Sequence, residues 1–280
     1  MLEYWSLVVF TILGQSAAGL MLLIALSRRE TTSAVRITRI AAIILIAAAL
    51  ASLAHLSDPL VSYYTITNAG TSWLSREILF CGLFGASMLL WIFVRRRPLL
   101  WLSGALGVAF VYVMSRVYTI PTEPAWNSPF TFWNFLSTSV LLGGSLLLVL
   151  DELAAGCRAG AARRVLLGQG PLAVILAMGF RLVFLLLERT YPEHGELMPQ
   201  ALSLVLLVAG AGLGMPVLAR CAARQAVSRH AAANAENSAA YNGKSACCLC
   251  AGTIVATLLI WTAEICGRVL FYLSYTWFGM

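Results

Sequence analysis

Eight apolar segments, each close to the twenty residues that a helix needs to cross a bilayer, follow one another along this chain. At 1.5 Å per residue such a segment spans the roughly 30 Å of hydrocarbon. The segments lie at approximately 5–27, 38–56, 77–95, 99–118, 131–153, 169–188, 198–219 and 247–273. Composition agrees. The 280 residues are 60% hydrophobic and 11% charged, a balance that a soluble domain of this length does not have. The expectation is an all-α, polytopic membrane bundle of eight transmembrane helices, forming one integral domain over residues 1–280.

Prolines sit where such helices begin or end. Pro98, Pro171 and Pro199 fall in first turns, and Pro59, Pro121, Pro124, Pro129 and Pro192 fall in loops. Pro216 lies inside the seventh segment, near its end, where a kink is expected.

Arginines set the orientation. The connections after segments 1, 3, 5 and 7 hold Arg28, Arg29, Arg36, Arg39, Arg95, Arg96, Arg97, Arg158, Arg163, Arg164, Arg220, Arg224, Arg229 and Lys244. These are 14 of the 19 basic residues, which assigns those connections to the cytoplasm and both termini to the outside. In a soluble protein a net charge of +7 would suggest nucleic acid; here it is a topology signal, and no nucleic-acid partner is expected. The first 27 residues lack a basic n-region and run too long for a signal-peptide core, so a spanning segment is expected there. The connection at about 220–246, rich in Ala, Asn and Ser, reads as a flexible cytoplasmic loop.

Against this apolar background a few ionisable groups stand out. His55, Glu77, Arg116, Arg181, Glu264 and Arg268 lie within or at the ends of the segments, and the topology puts all six in the outer half of the bilayer. Charges in hydrocarbon cost several kcal/mol and usually face the bundle interior, where they serve a function. His55 closes the second segment and Glu77 opens the third, so both lie at one membrane depth. An imidazole and a carboxylate suit a hydroxylated aromatic ligand that gives up protons. The structural alternative makes His55 an interfacial residue and pairs Glu77 with Arg76. Glu264 and Arg268, four apart with the acid first, are equally well explained as a helical ion pair. Arg116, with Tyr118 at the end of the fourth segment, can snorkel to the surface. Arg181 is about two turns from its helix end and is harder to place.

Neither metal nor cofactor chemistry is expected within the chain. Of Cys81, Cys157, Cys221, Cys247, Cys248, Cys250 and Cys266, only the 247–250 cluster resembles a ligand set, and its spacing is not that of a zinc or iron–sulfur site. His55 is the one histidine in a span, whereas a membrane b-haem commonly takes two.

Several stretches carry a family resemblance. They are Trp5 through Gly19, His55-Leu56 followed by Pro59, and Thr71-Ser72-Trp73-Leu74-Ser75-Arg76-Glu77-Ile78. Arg116-Val117-Tyr118 with Pro124-Ala125-Trp126, and Gly267-Arg268-Val269-Leu270-Phe271-Tyr272, complete the set. In order and spacing they resemble the DmsC family, the membrane-anchor subunits of dimethyl sulfoxide reductase-type molybdenum enzymes. The resemblance implies eight helices with both termini outside, in the bacterial cytoplasmic membrane. It also implies oxidation of menaquinol to menaquinone, with no haem, iron–sulfur cluster or molybdenum in this chain, as part of anaerobic respiration. The partners implied are an iron–sulfur subunit and a molybdenum catalytic subunit docked on the outer face. His55 and Glu77 match the family's quinol-site residues, with Arg116, Tyr118, Arg181, Glu264 and Arg268 as possible pocket members. A proton- or ion-coupled transporter is the rival reading, but it should place its charges near the midplane. A purely structural anchor leaves Arg181 and Glu264 unexplained.

Overall fold

The computed structural model describes residues 2–27, 29–53, 68–121, 127, 130–155, 179, 205, 208, 254–269 and 271–272. These are all helical or in the turns between helices, with no strand among the described residues. Five helices run along the first part: α1 Leu2–Leu26, α2 Thr31–Leu53, α3 Trp73–Val94, α4 Arg97–Tyr118 and α5 Phe130–Ala155. Each contains a stretch long and apolar enough to cross a membrane. Residues 254–269 are helical as well, within the eighth expected segment. Of the sixth and seventh segments only residues 179, 205 and 208 are described, and His55, Arg181, the 220–246 loop and the Cys247–Cys250 cluster lie outside the described residues.

The helices start earlier than hydropathy alone suggests. Thr31 opens α2 seven residues before the expected start, because a helix continues past the hydrocarbon into an arginine-bearing interfacial turn. Ser72 caps α3, its hydroxyl accepting the Ser75 amide, so the helix begins at Trp73 and Glu77 lies one turn inside it. Between α3 and α4 the backbone turns within two residues. Arg95 adopts the left-handed conformation (φ 56°) that ends a helix, its N–H bonded to the Trp91 carbonyl, and Pro98 occupies the first turn of α4.

α1 is the innermost of the five and packs against α2, α4 and α5, while α3 packs on α4 and α2. Lipid gives helices little hydrophobic reason to associate, so close backbone approach and buried polar bonds must hold them. Gly19 of α1 lies directly against Ser139 and Gly143 of α5, with no room for a Cβ at either glycine. Gly104 and Gly107 give α4 the same intimacy with α1, beside Ala25 and Ala18. The Trp91 indole donates to Thr38 (3.1 Å), tying α3 to α2. At the arginine-rich end the Arg29 guanidinium makes a bidentate ion pair with Asp151 of α5, its Nη2 2.6 Å from Oδ2, and Arg97 donates to the Ser27 carbonyl. Gly19 beside Gly143 and Arg29 beside Asp151 show that α1 and α5 run in the same direction, as alternate crossings require.

Candidate functional site

The end of the bundle opposite the Arg29–Asp151 pair gathers the starts of α3 and α5, the first half of α1, the end of α4 and residues 264–269 and 271–272. Four of the six membrane charges singled out in the sequence lie at that end: Glu77 in the first turns of α3, Arg116 over Trp73, Glu264 on Thr138 and Arg268 on Gln15. Tyr118 joins them.

Glu77 is only 4% exposed, and its Oε1 has no hydrogen-bond partner among the described residues. It lies within electrostatic range of Tyr118, Tyr272 and Cys81. Arg76 does not serve as its counterion. That guanidinium bonds the Ala69 and Gly70 carbonyls (2.8 and 2.6 Å) and stacks 4.4 Å over the Trp73 ring. Leaving a buried carboxyl oxygen unsatisfied is costly, so the position suits a ligand that brings a hydrogen-bond donor.

Arg116 approaches the same Trp73 ring at 5.2 Å, with its Nε also lacking a partner among the described residues. Trp73 is thus the first residue of α3, with the Arg76 and Arg116 guanidiniums both within cation–π range of its ring.

Arg268 is 6% exposed and reaches across the bundle to α1, donating to Gln15 Oε1 (2.9 Å). Its guanidinium lies 4.0 Å from the Phe135 ring centroid and 5.5 Å from that of Phe271. The Gln15 amide then turns its Nε2 to the Met114 sulfur (3.7 Å). Arginine can only donate, which fixes the carboxamide oxygen towards it. Glu264, buried at 2% exposure, accepts the Thr138 hydroxyl of α5 (2.9 Å). Both members of the expected i,i+4 pair therefore find partners on other helices. The Tyr118 and Tyr272 hydroxyls lie 2.6 Å apart inside an aromatic shell with Phe135 and Phe271.

Comparison with known proteins places this architecture. The family of DMSO reductase anchor subunits (DmsC) matches over residues 1–166. The anaerobic dimethyl sulfoxide reductase protein YnfH of Escherichia coli K12 is 30% identical over 306 aligned positions, covering 99% of this sequence and 96% of its own. The protein belongs to the DMSO reductase anchor subunit family. The C subunit of the anaerobic dimethyl sulfoxide reductase of Haemophilus influenzae is 34% identical over 154 residues, or 49% of this sequence and 54% of that one. Its counterpart in E. coli K12, also a C subunit, is 34% identical over 51% of this sequence and 55% of its own. The match thus spans about half the length of the two C subunits and nearly all of YnfH. As a multi-pass membrane member of this family, the protein takes the role of a helical anchor subunit.

Within this anchor, sequence reasoning missed the residues that organise the charged end. Gln15, Phe135, Thr138 and Tyr272 were not picked out as site members, although Gln15 is an isolated amide in the most buried helix. An uncharged polar group deep in a span is itself a signal, because lipid gives it no partner and another helix must. Asp151, the ion-pair partner of Arg29 at the opposite end, was not picked out either.

Proposed function

We propose that this anchor subunit binds menaquinol at the Glu77 end of the bundle, oxidises it there, and passes the electrons to an iron–sulfur subunit serving a molybdenum catalytic subunit. One observation carries the reading: a buried carboxyl oxygen without a partner among the described residues, at the end of the bundle that also holds the Tyr118 and Tyr272 hydroxyls, the Arg116 and Arg268 guanidiniums and the Trp73 and Phe135 rings. A dihydroxy-aromatic molecule supplies what that oxygen lacks. Its hydroxyl donates to Glu77, while rings such as Trp73 and Phe135 suit a flat apolar body.

Oxidising a quinol releases two protons and two electrons. His55 accepts the first proton as general base, and Glu77 accepts or relays the second. Arg116 and Arg268 stabilise the anionic oxygen that develops between the two losses. The subunit itself holds no haem, iron–sulfur cluster or molybdenum, and the electrons go to the partner docked on the face nearest the site. In this reading eight helices cross the bacterial cytoplasmic membrane, both termini are outside, and the Glu77 end faces outward.

Orientation is testable by labelling. Single cysteines introduced near Glu123 or Glu193 should react in intact cells with a membrane-impermeant thiol reagent, and cysteines near Arg96 or Arg163 should react only after lysis. The reverse pattern would turn the site inward and remove the proposed docking face.

A further inference from the structure

We infer that the arginine-rich end of the bundle binds an anionic phospholipid at the seam between α2 and α3. Arg36 and Arg39 of α2, with Arg95 and Arg96 of the α3–α4 turn, hold its phosphates, and its acyl chains lie along the apolar side chains below. The site is at the far end from Glu77 and does not depend on the quinol reading.

The arginines at this end divide by what they bond. Arg29 is committed to Asp151 and Arg97 to the Ser27 carbonyl, so both fasten helices to one another. Arg36, Arg39, Arg95 and Arg96 are exposed. The side chains of Arg36, Arg39 and Arg96 have no hydrogen-bond or ion-pair partner among the described residues, and neither does Glu30, the acid just before α2. Arg95 reaches only the Ile92 carbonyl of its own last turn, at 3.4 Å. Four guanidiniums are therefore left to meet something outside the bundle.

Arg36, Arg39, Ile43, Ile46 and Leu50 follow one another at steps of three or four and are all exposed, so they form one stripe along α2. A charge on a stripe of lipid-facing side chains must lift towards the headgroups or find a counter-ion. The Trp91–Thr38 bond (3.1 Å) fixes the depth, setting Arg39 level with the last turn of α3. Arg36 is about 3 Å nearer the surface, and Arg95 begins about one turn beyond Trp91, so the four share one level within two turns. Gly85 faces α2, since a Cβ there would lie 3.6 Å from Leu45. Leu89 and Phe93, four and eight residues on, continue that edge of α3 and are exposed, Phe93 at 80%. Apolar side chains of both helices thus lead away from a basic mouth. An acidic protein surface would answer the charges alone, whereas a phospholipid answers the charges and the apolar stripe together. Guanidinium forks suit phosphodiester oxygens, and basic groups between the ends of spanning helices suit lipid headgroups. Four of them favour a lipid with two phosphates over one with a single charge.

The test uses the full-length protein in nanodiscs of phosphatidylcholine with a minor share of cardiolipin, and native mass spectrometry counts the lipid each protein retains. Wild type should retain cardiolipin well beyond its share of the bilayer. Arg36→Gln with Arg39→Gln should lower that preference about thirtyfold, at about fivefold for each basic residue near an anionic headgroup. Exchanging two neighbours, Arg39→Ile with Ile40→Arg, keeps composition, charge and topology signal but turns the guanidinium about 100° round α2, further from Thr38. That exchange should lose about fivefold. Arg95→Gln with Arg96→Gln, in the turn between helices, supplies a second variant that leaves α2 untouched, and should also lose about thirtyfold. Variants are compared only where their thermal transition in pure phosphatidylcholine matches wild type. Undiminished preference in the exchange and in the glutamine pairs would overturn the inference and leave the arginines as topology signals. Wild type that takes both lipids in proportion to supply would overturn it too, in favour of an acidic protein surface. Equal heat stabilisation by inorganic phosphate without cardiolipin would mark a free-anion site and overturn the lipid assignment.

Discussion

Quinol-dependent turnover of the assembled complex should fall by about 10²-fold or more in Glu77→Gln, and likewise in His55→Ala, the scale associated with a lost general acid–base group. Glutamine keeps the size of Glu77 and fills the same space in α3, so the bundle and the complex should assemble normally. It cannot take a proton, however, and its amide nitrogen presents a donor where the ligand hydroxyl needs an acceptor. Activity with an artificial donor that reduces the soluble subunits directly should stay near wild type, since it bypasses the membrane site. Arg76→Ala should be milder, because Arg76 is bound to the Ala69 and Gly70 carbonyls and not to Glu77. If both substitutions left quinol oxidation intact, or the artificial donor failed equally, the two residues would be structural and the site would lie elsewhere.

An equally large effect, on folding instead of chemistry, is expected at Gly19. A Cβ there would overlap the Ser139 backbone carbonyl, and backbone cannot swing aside by changing rotamer. Gly19→Val must push α1 and α5 apart, at a cost above the roughly 1–3 kcal/mol typical of an overpacked core. The separation reaches further than the contact, since α1 also carries Gln15, whose bond to Arg268 needs α1 in place. The membrane fraction should hold little monodisperse protein, with a lowered thermal transition in detergent. Gly82→Ala provides the contrast: Gly82 is exposed on α3, and nothing lies within 4 Å of an added Cβ. Normal yield from Gly19→Val would mean that α1 and α5 are not packed this closely.

Much of the described architecture was legible in the sequence, for a simple physical reason. Hydrocarbon rejects unpaired backbone and charge, so a span announces itself by length and apolarity. The gathering of Glu77, Arg116, Glu264 and Arg268 at one end followed from counting alternate crossings. Helix starts were less visible, since Ser72 and Thr31 begin helices in the interface, where hydropathy is silent. Pairing was not legible at all. Gln15 and Arg268 are 253 positions apart and Tyr118 and Tyr272 are 154 apart, and only the lateral arrangement of helices makes them neighbours. For the same reason, the sequence showed only the local spacing of Glu264 and Arg268 on one helix, while the bundle adds Thr138 to one and Gln15 to the other.

Photolabelling tests the central claim most directly. An azido-naphthoquinone in native membranes carrying the assembled complex should crosslink to the start of α3, around Trp73–Cys81, and to the end of α4 or residues 264–272. Excess menaquinol should compete the label away, and Glu77→Gln should weaken it. Label at the Arg95–Arg97 end, or label at the Glu77 end that menaquinol does not displace, would contradict the account.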